Sequence, residues 1–225
     1  SLTYGEVAGK ETLIWGGTDG FCYGYKNKTE KDADGYDLYQ PIWKVDCNEP
    51  SYRKDKEGKK IPYATPPGPS ELIGTPVLYK GKAYCAIGQD PEHGDGVGRL
   101  SCIDAKTGEV IWKYLDVGRT ISTVSIADDL VYLAEYAGII HCIDANTGKV
   151  YWTHDSFSRI WGSTLVVDGK LILGNEDGDL LIMDHGKTKP EVQTINMGAP
   201  VYSSPVVANG VLYIGTQTHL YAIGK

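Results

Sequence analysis

The chain has 225 residues, 41% of them apolar and 23% charged, an ordinary globular composition with enough length for a substantial core and no apolar run of transmembrane length. Lys+Arg 22 against Asp+Glu 29 leaves a net charge of −7, which argues against nucleic acid or an anionic membrane surface as the main partner. Glycine at 28 of 225, and 16 tyrosines beside 2 phenylalanines, against a typical glycine share of ~7%, describe a turn-rich all-β chain.

The first residues, Ser1 to Glu6, contain neither a basic n-region nor an apolar h-region, so the chain is cytoplasmic, already processed, or cut from something longer. Tyr4 to Ala8, Thr12 to Gly17 and Gly20 to Tyr25 read as three strands, and Pro41 to Val45 as a fourth reached after a polar insertion at Lys26 to Tyr39. Within that insertion Asp32-Ala33-Asp34-Gly35 falls short of an EF-hand loop, because the glutamate at the twelfth position is missing in register. Asn48 to Leu72 is a long connection with Arg53, Lys54, Lys56, Lys59 and Lys60 followed by Pro62, Pro66, Pro67 and Pro69. It reads as a mobile charged loop or, more sharply, as a partner-docking arm.

From Thr75 onward a hairpin pattern recurs. Thr75 to Tyr84, Thr123 to Tyr132, Ser163 to Ile172 and Ser204 to Tyr213 each place a turn such as Lys80-Gly81, Asp168-Gly169 or Asn209-Gly210 between two β-rich runs. Such pairs suit a type I′ turn, which needs φ > 0 at both central residues. A second pattern follows each hairpin: Gly98 to Trp112 matches Gly138 to Trp152 at an offset of 40 without a gap, and Gly178, Leu180 and Asp184 continue the series. Four strands in about 40 residues, repeated, is the signature of a β-propeller blade. The expected blades cover 4–47, 74–115, 121–154 and 161–196, with three strands of a fifth at 203–224: about 4.5 blades within one domain, 1–225.

The loop Gly88 to Gly98 lengthens its blade from 40 to 48 residues and concentrates Asp90, Glu92, His93 and Asp95. One histidine and three carboxylates on a rigid scaffold suit a cation or a binding role, and suit a solvated turn equally. His141 and His154 fall on repeat strands as structural histidines. No nucleophile elbow, H-E-x-x-H, P-loop or dinucleotide motif occurs in its required context. The five cysteines, Cys22, Cys47, Cys85, Cys102 and Cys142, include no C-x-x-C pair, which removes zinc-ribbon and thioredoxin-like readings. Cys85 and Cys102 fall on adjacent strands, where either a disulfide or two small core residues fits. Trp15, Trp161 and the tyrosines leave sugar stacking open beside inter-blade packing.

The hairpin followed by L-x-x-I-D-A-x-T-G-x-x-x-W, at 98–112 and 138–152, resembles the PQQ-like propeller repeat family of quinoprotein dehydrogenases and the outer-membrane assembly lipoprotein. The resemblance implies that the motif's tryptophan packs across to the adjacent blade and that its glycine gives the ring room, which maps onto Trp112 with Gly108 and Trp152 with Gly148. Trp43 looks equivalent in the first blade, whereas the fourth blade keeps Asp184 but has no tryptophan. Family propellers commonly close at seven or eight blades, and eight units of 40 exceed the chain, so it reads as the C-terminal part of a longer propeller. The dehydrogenases hold PQQ beneath a disulfide of neighbouring cysteines beside calcium; no adjacent cysteine pair occurs here, and no residue is singled out for PQQ or calcium. The leading expectation is a non-enzymatic scaffold, periplasmic or secreted, engaging a protein or an envelope polymer. The alternatives are a PQQ-dependent oxidoreductase or inactive relative, and a carbohydrate-binding or carbohydrate-active propeller.

Overall fold

The computed structural model describes residues 1–62, 65 and 68–224. Pro66 and Pro67 of the proline-rich connection, and Lys225, lie outside the described residues. Regular structure among the described residues is β apart from two 3-10 turns, Pro50–Tyr52 and Pro91–His93. No helix there is long and apolar enough to cross a membrane.

The chain forms two compact units, Ser1–Arg119 and Thr120–Lys225. Unit 1 holds two four-stranded antiparallel meanders: β1 (Leu2–Val7), β2 (Lys10–Gly16), β3 (Phe21–Lys31) and β4 (Asp37–Asp46), then β5 (Val77–Tyr79), β6 (Lys82–Ile87), β7 (Arg99–Asp104) and β8 (Val110–Tyr114). Unit 2 holds two more and a three-stranded sheet. These are β9 (Ser125–Ala127), β10 (Leu130–Ala134), β11 (Ile139–Asp144) and β12 (Val150–Asp155); β13 (Leu165–Val167), β14 (Lys170–Gly174), β15 (Asp179–Asp184) and β16 (Val192–Asn196); and β17 (Val206–Ala208), β18 (Val211–Gly215) and β19 (Leu220–Ile223).

Turn chemistry sets these sheets. The first hairpin of every sheet turns through two residues of positive φ, from Ala8 and Gly9 (50° and 74°) to Asn209 and Gly210 (52° and 75°), the type I′ geometry that follows the right-handed strand twist. Asp128 and Asp129 take the same turn at 48° and 60° without a glycine. In the turn from β7 to β8, Asp104 accepts the amides of Lys106 and Thr107, both at 2.9 Å. Asp144 repeats this with Asn146 and Thr147. The polar stretch read as an insertion at Lys26 to Tyr39 is instead an extension of the β3–β4 hairpin, pairing Thr29 with Tyr39 and Lys31 with Asp37. Asp32 closes its turn by accepting the amides of Asp34 and Tyr36.

Each unit buries its own aliphatic core: Val7, Ile14, Val45, Leu72, Ile87 and Ile103 in unit 1, and Leu130, Ile140, Ile160, Leu171, Leu173 and Met183 in unit 2. Trp43 crosses from the first sheet to the second. It lies over Gly24 of its own sheet, where a Cβ would fall 2.1 Å from the ring, and on Gly108 of the next, where a Cβ would fall 2.6 Å from Trp43 Cβ. Its Nε1 donates to the Ala105 carbonyl at 2.9 Å. Room for a docked indole therefore comes from the turn glycine of the following sheet as well as from the residue beneath the ring. Trp152 donates to the Gly186 carbonyl of the following sheet at 3.0 Å. Trp112 meets Tyr84 edge-on at 5.9 Å, and Gly148 closes its turn at φ +73°. The sheet β13–β16 has no such tryptophan, and β17–β19 packs on it through Ile172, Leu180, Val201 and Ile214.

A hydroxyl ladder runs through the serines that open two of the hairpin repeats, Ser163 and Ser204. The Ser163 hydroxyl accepts the Thr123 amide at 2.9 Å, and the Ser204 hydroxyl accepts the Ser163 amide at 2.7 Å. The five cysteines are free and buried. Cys102 pairs with Tyr84 and Cys85 with Ser101, so the one-residue offset sends the two thiols to opposite faces of the sheet. Adjacent strands thus do not make Cys85 and Cys102 a disulfide pair.

Candidate functional site

The two long connections of unit 1 meet at one end of its sheets. Cys47 to Leu72 leaves β4 beside the β2–β3 turn, because Phe21 pairs with Asp46, and the loop 88–98 joins β6 to β7. A strap at Ser70 to Leu72 holds these parts together. Asn48 clamps it, donating to the Ser70 carbonyl at 2.9 Å and accepting the Ser70 amide at 2.8 Å. The Leu72 amide donates to Gly17, while Glu71 and Gly88 exchange two backbone hydrogen bonds at 2.6 and 3.0 Å. Ser70 Oγ accepts the Val97 amide at 2.8 Å.

The four loop residues singled out by sequence have separate places here. Asp90 caps the Pro91–His93 turn, accepting the Glu92 amide at 2.9 Å. His93 is partly exposed and turns its Nδ1 inward, 3.6 Å from Glu71 Oε1. Glu92 and Asp95 are exposed, and among the described residues no group of three or more His, Cys, Asp or Glu is arranged to hold a metal. Gln89 Nε2 donates to the His93 carbonyl at 2.9 Å, and Arg119 donates to the Gly94 carbonyl at 2.6 Å. The loop is thus a braced structure.

Several residues of this junction were not visible as site residues in the sequence. Glu71 and Gln89 are 4% and 0% exposed, and each carries a buried Oε1 with no hydrogen-bond partner among the described residues. Arg99, 4% exposed, donates to Glu49 Oε1 at 2.8 Å and to the Cys47 carbonyl at 3.2 Å. Only the high density of Asp and Gly signalled a special turn; the contacts of Asn48, Ser70 and Arg99 that join this junction span 22, 27 and 52 residues.

Beside the strap lies a cavity of about 470 Å³ lined by Thr18, Asp19, Arg53, Lys54, Lys60 and Ile61. Arg53 is fixed by a two-pronged contact to Asp46, at 2.9 and 2.6 Å, and its guanidinium stands 4.5 Å from the Phe21 ring centre. Lys44 covers the same ring at 3.9 Å. Asp19 accepts from the Tyr23 hydroxyl at 2.6 Å, and burial, followed by that carboxylate, pushes the Tyr23 pKa up. Three cations against one carboxylate make this cavity locally basic on a chain of net charge −7.

The sequence also singled out two histidines and two tryptophans. His141 is 3% exposed and sits 2.7 Å from Glu135 Oε1. Burial lowers the His154 pKa. Trp161 is held edge-to-face between Tyr136 and Tyr202, with ring centres 4.9 and 5.9 Å away. Trp15 is 39% exposed and opens a row of rings through Tyr23 and Tyr25.

The structure of BamB from Moraxella catarrhalis superposes at a TM-score of 0.69, with 15% identity over 98% of this chain and 57% of that one. The C-terminal WD40 domain of Sif2 gives 0.67, with 11% identity over 95% and 54%. Quinohemoprotein alcohol dehydrogenase from Comamonas testosteroni gives 0.50, with 21% identity over 64% and 28%. These identities establish the fold, a β-propeller of antiparallel blades, and the chain spans a little over half the length of the BamB structure. No curated protein sequence matches it significantly. The profile of the family described as "Outer membrane protein assembly factor BamB" matches residues 96–224, more than half of the chain, and the chain belongs to this family of PQQ-like propeller repeats.

Proposed function

We propose that this chain is a non-enzymatic binding scaffold of the cell envelope, and that it engages a protein partner through the end of unit 1 where the two long connections meet. The observation that carries this reading is their interlocking: Glu71 exchanges two backbone hydrogen bonds with Gly88, Ser70 Oγ accepts the Val97 amide and His93 Nδ1 stands 3.6 Å from Glu71 Oε1, while Asn48 clamps Ser70 within its own connection. The repeat needs neither insertion to form blades. Rigid bracing of surface loops lowers the ordering cost of association. The outer rim offers Lys54 and Lys60 at the cavity and Glu92 and Asp95 on the neighbouring loop, a mixed charge pattern suited to steering a protein partner. The family description and the BamB relative support an envelope location and a role in outer membrane protein assembly.

The test is site-specific photocrosslinking in envelope-bearing cells. A crosslinker at Lys54 or Glu92 captures a discrete envelope protein, whereas one at Lys149 does not. Equal capture from all three positions removes the assignment to this end. Addition of PQQ and Ca²⁺ leaves absorbance and thermal stability unchanged; a saturable shift supports a quinoprotein instead.

A further inference from the structure

We propose that Cys22 and Cys85 form an oxidation site, at which two thiols join in a disulfide that staples the first sheet of unit 1 to the second. Their Sγ atoms stand 3.1 Å apart across 63 residues of sequence. Reaching a covalent S–S length of about 2 Å needs a closure of roughly 1 Å.

The repeat shows that both cysteines occupy positions that other sheets fill with larger side chains. Cys22 pairs with Gly16 as Leu100 pairs with Ala86, Ile140 with Ala134 and Leu180 with Gly174. Cys85, opposite Ser101, stands where Leu133 faces His141 and Leu173 faces Leu181. Two core columns thus switch from aliphatic residues to cysteine in consecutive sheets, where the two positions touch. A smaller side chain at either position alone would leave a cavity. The contact between the two sulfurs fills the shared space.

Cys47 completes a cluster of three thiols, all 0% exposed and within one core. Its Sγ lies 4.0 Å from the Val45 carbonyl and also neighbours Cys85; the 3.1 Å contact assigns Cys22 as the partner that bonds Cys85. The reaction balances with a low-molecular-weight disulfide as oxidant. The two protein thiols lose two protons and two electrons as the S–S bond forms, and the oxidant's own S–S bond breaks to give two thiols. Exchange requires a thiolate, and contact with two neighbouring thiols, reinforced by burial, holds the Cys85 pKa well above its ordinary value. Reaction therefore follows opening of the core and is slow in the closed protein.

The experiment incubates the reduced 225-residue chain with glutathione disulfide, with and without sub-denaturing urea, alkylates it and maps the unreduced peptides by mass. The expected product has three alkylatable thiols where the reduced chain has five. It yields a peptide pair joining Cys22 to Cys85, two hydrogens lighter than the separate peptides, and urea raises the rate at least tenfold. Cys47→Ser leaves this pair in place. Five remaining thiols under both conditions, a Cys47–Cys85 pair, or stable glutathione adducts on Cys22 or Cys85 overturn the proposal.

Discussion

Unit 2 is regular where unit 1 is elaborated. Its sheets are joined by two connections of equal length, 156–164 and 197–205, and its second and third strands by the short turns 135–138 and 175–178. In unit 1 the corresponding segments are 47–76 and 88–98, and the β3–β4 hairpin extends to residues 31 and 37. Both units use the same hairpin turns, the same Asp-capped reversal and a docked tryptophan. Elaboration is therefore additional to the architecture and not a substitute for it. The difference separates the parts of this chain that make blades from the segments added to them.

The strongest way to break that comparison is to remove a feature both units share. Trp43→Ala and Trp152→Ala each excise an indole that is 7% or 5% exposed, and each is expected to cost about 3–5 kcal/mol in urea unfolding. Similar losses place the docked tryptophan in the common architecture. A loss confined to one unit shows that the other relies on its aliphatic core.

The next test is confined to unit 1. Asn48→Ala leaves the buried amide and carbonyl of Ser70 without their side-chain partner, at an expected cost of about 2–3 kcal/mol. Hydrogen exchange is expected to rise in 47–72 and 88–98 together, since the strap ties both. Exchange that rises in 47–72 alone shows that the two insertions are not mechanically joined. In unit 2, Ser163→Ala removes the acceptor of the Thr123 amide and is expected to cost about 1 kcal/mol.

Legibility in the sequence follows the same division. The blades are legible because their determinants are local: a positive-φ pair at Asp168-Gly169, an aspartate before Thr147-Gly148, a period of 40. The Lys26 to Tyr39 stretch hid its strands because polar side chains on an exposed hairpin extension carry no alternating apolar signal. The junction of unit 1 was hidden for another reason. Asn48 meets Ser70 22 residues away and Arg99 meets Cys47 52 residues away, and no local pattern encodes such pairings. Cys85 shows how finely register decides the outcome: one residue along the strand, it would have shared a face with Cys102.

The smallest expected effect separates two copies of one turn. Asp104 and Asp144 accept the same two backbone amides, but Asp144 also accepts the Tyr151 hydroxyl at 2.6 Å, while Ile111 stands at the matching place after Asp104. The tyrosine, ahead of the backbone amides, holds the Asp144 carboxyl below its ordinary value. Between the lowered folded value and the ordinary value near 3.9, the unfolded chain binds more protons than the folded one. Stability from this contact is therefore present above about pH 4 and lost as pH falls through the folded value. Tyr151→Phe is expected to move the Asp144 midpoint upward in an NMR titration. An unmoved Asp144 midpoint assigns the effect to the Asn146 and Thr147 amides, the contacts that this turn shares with the one at Asp104.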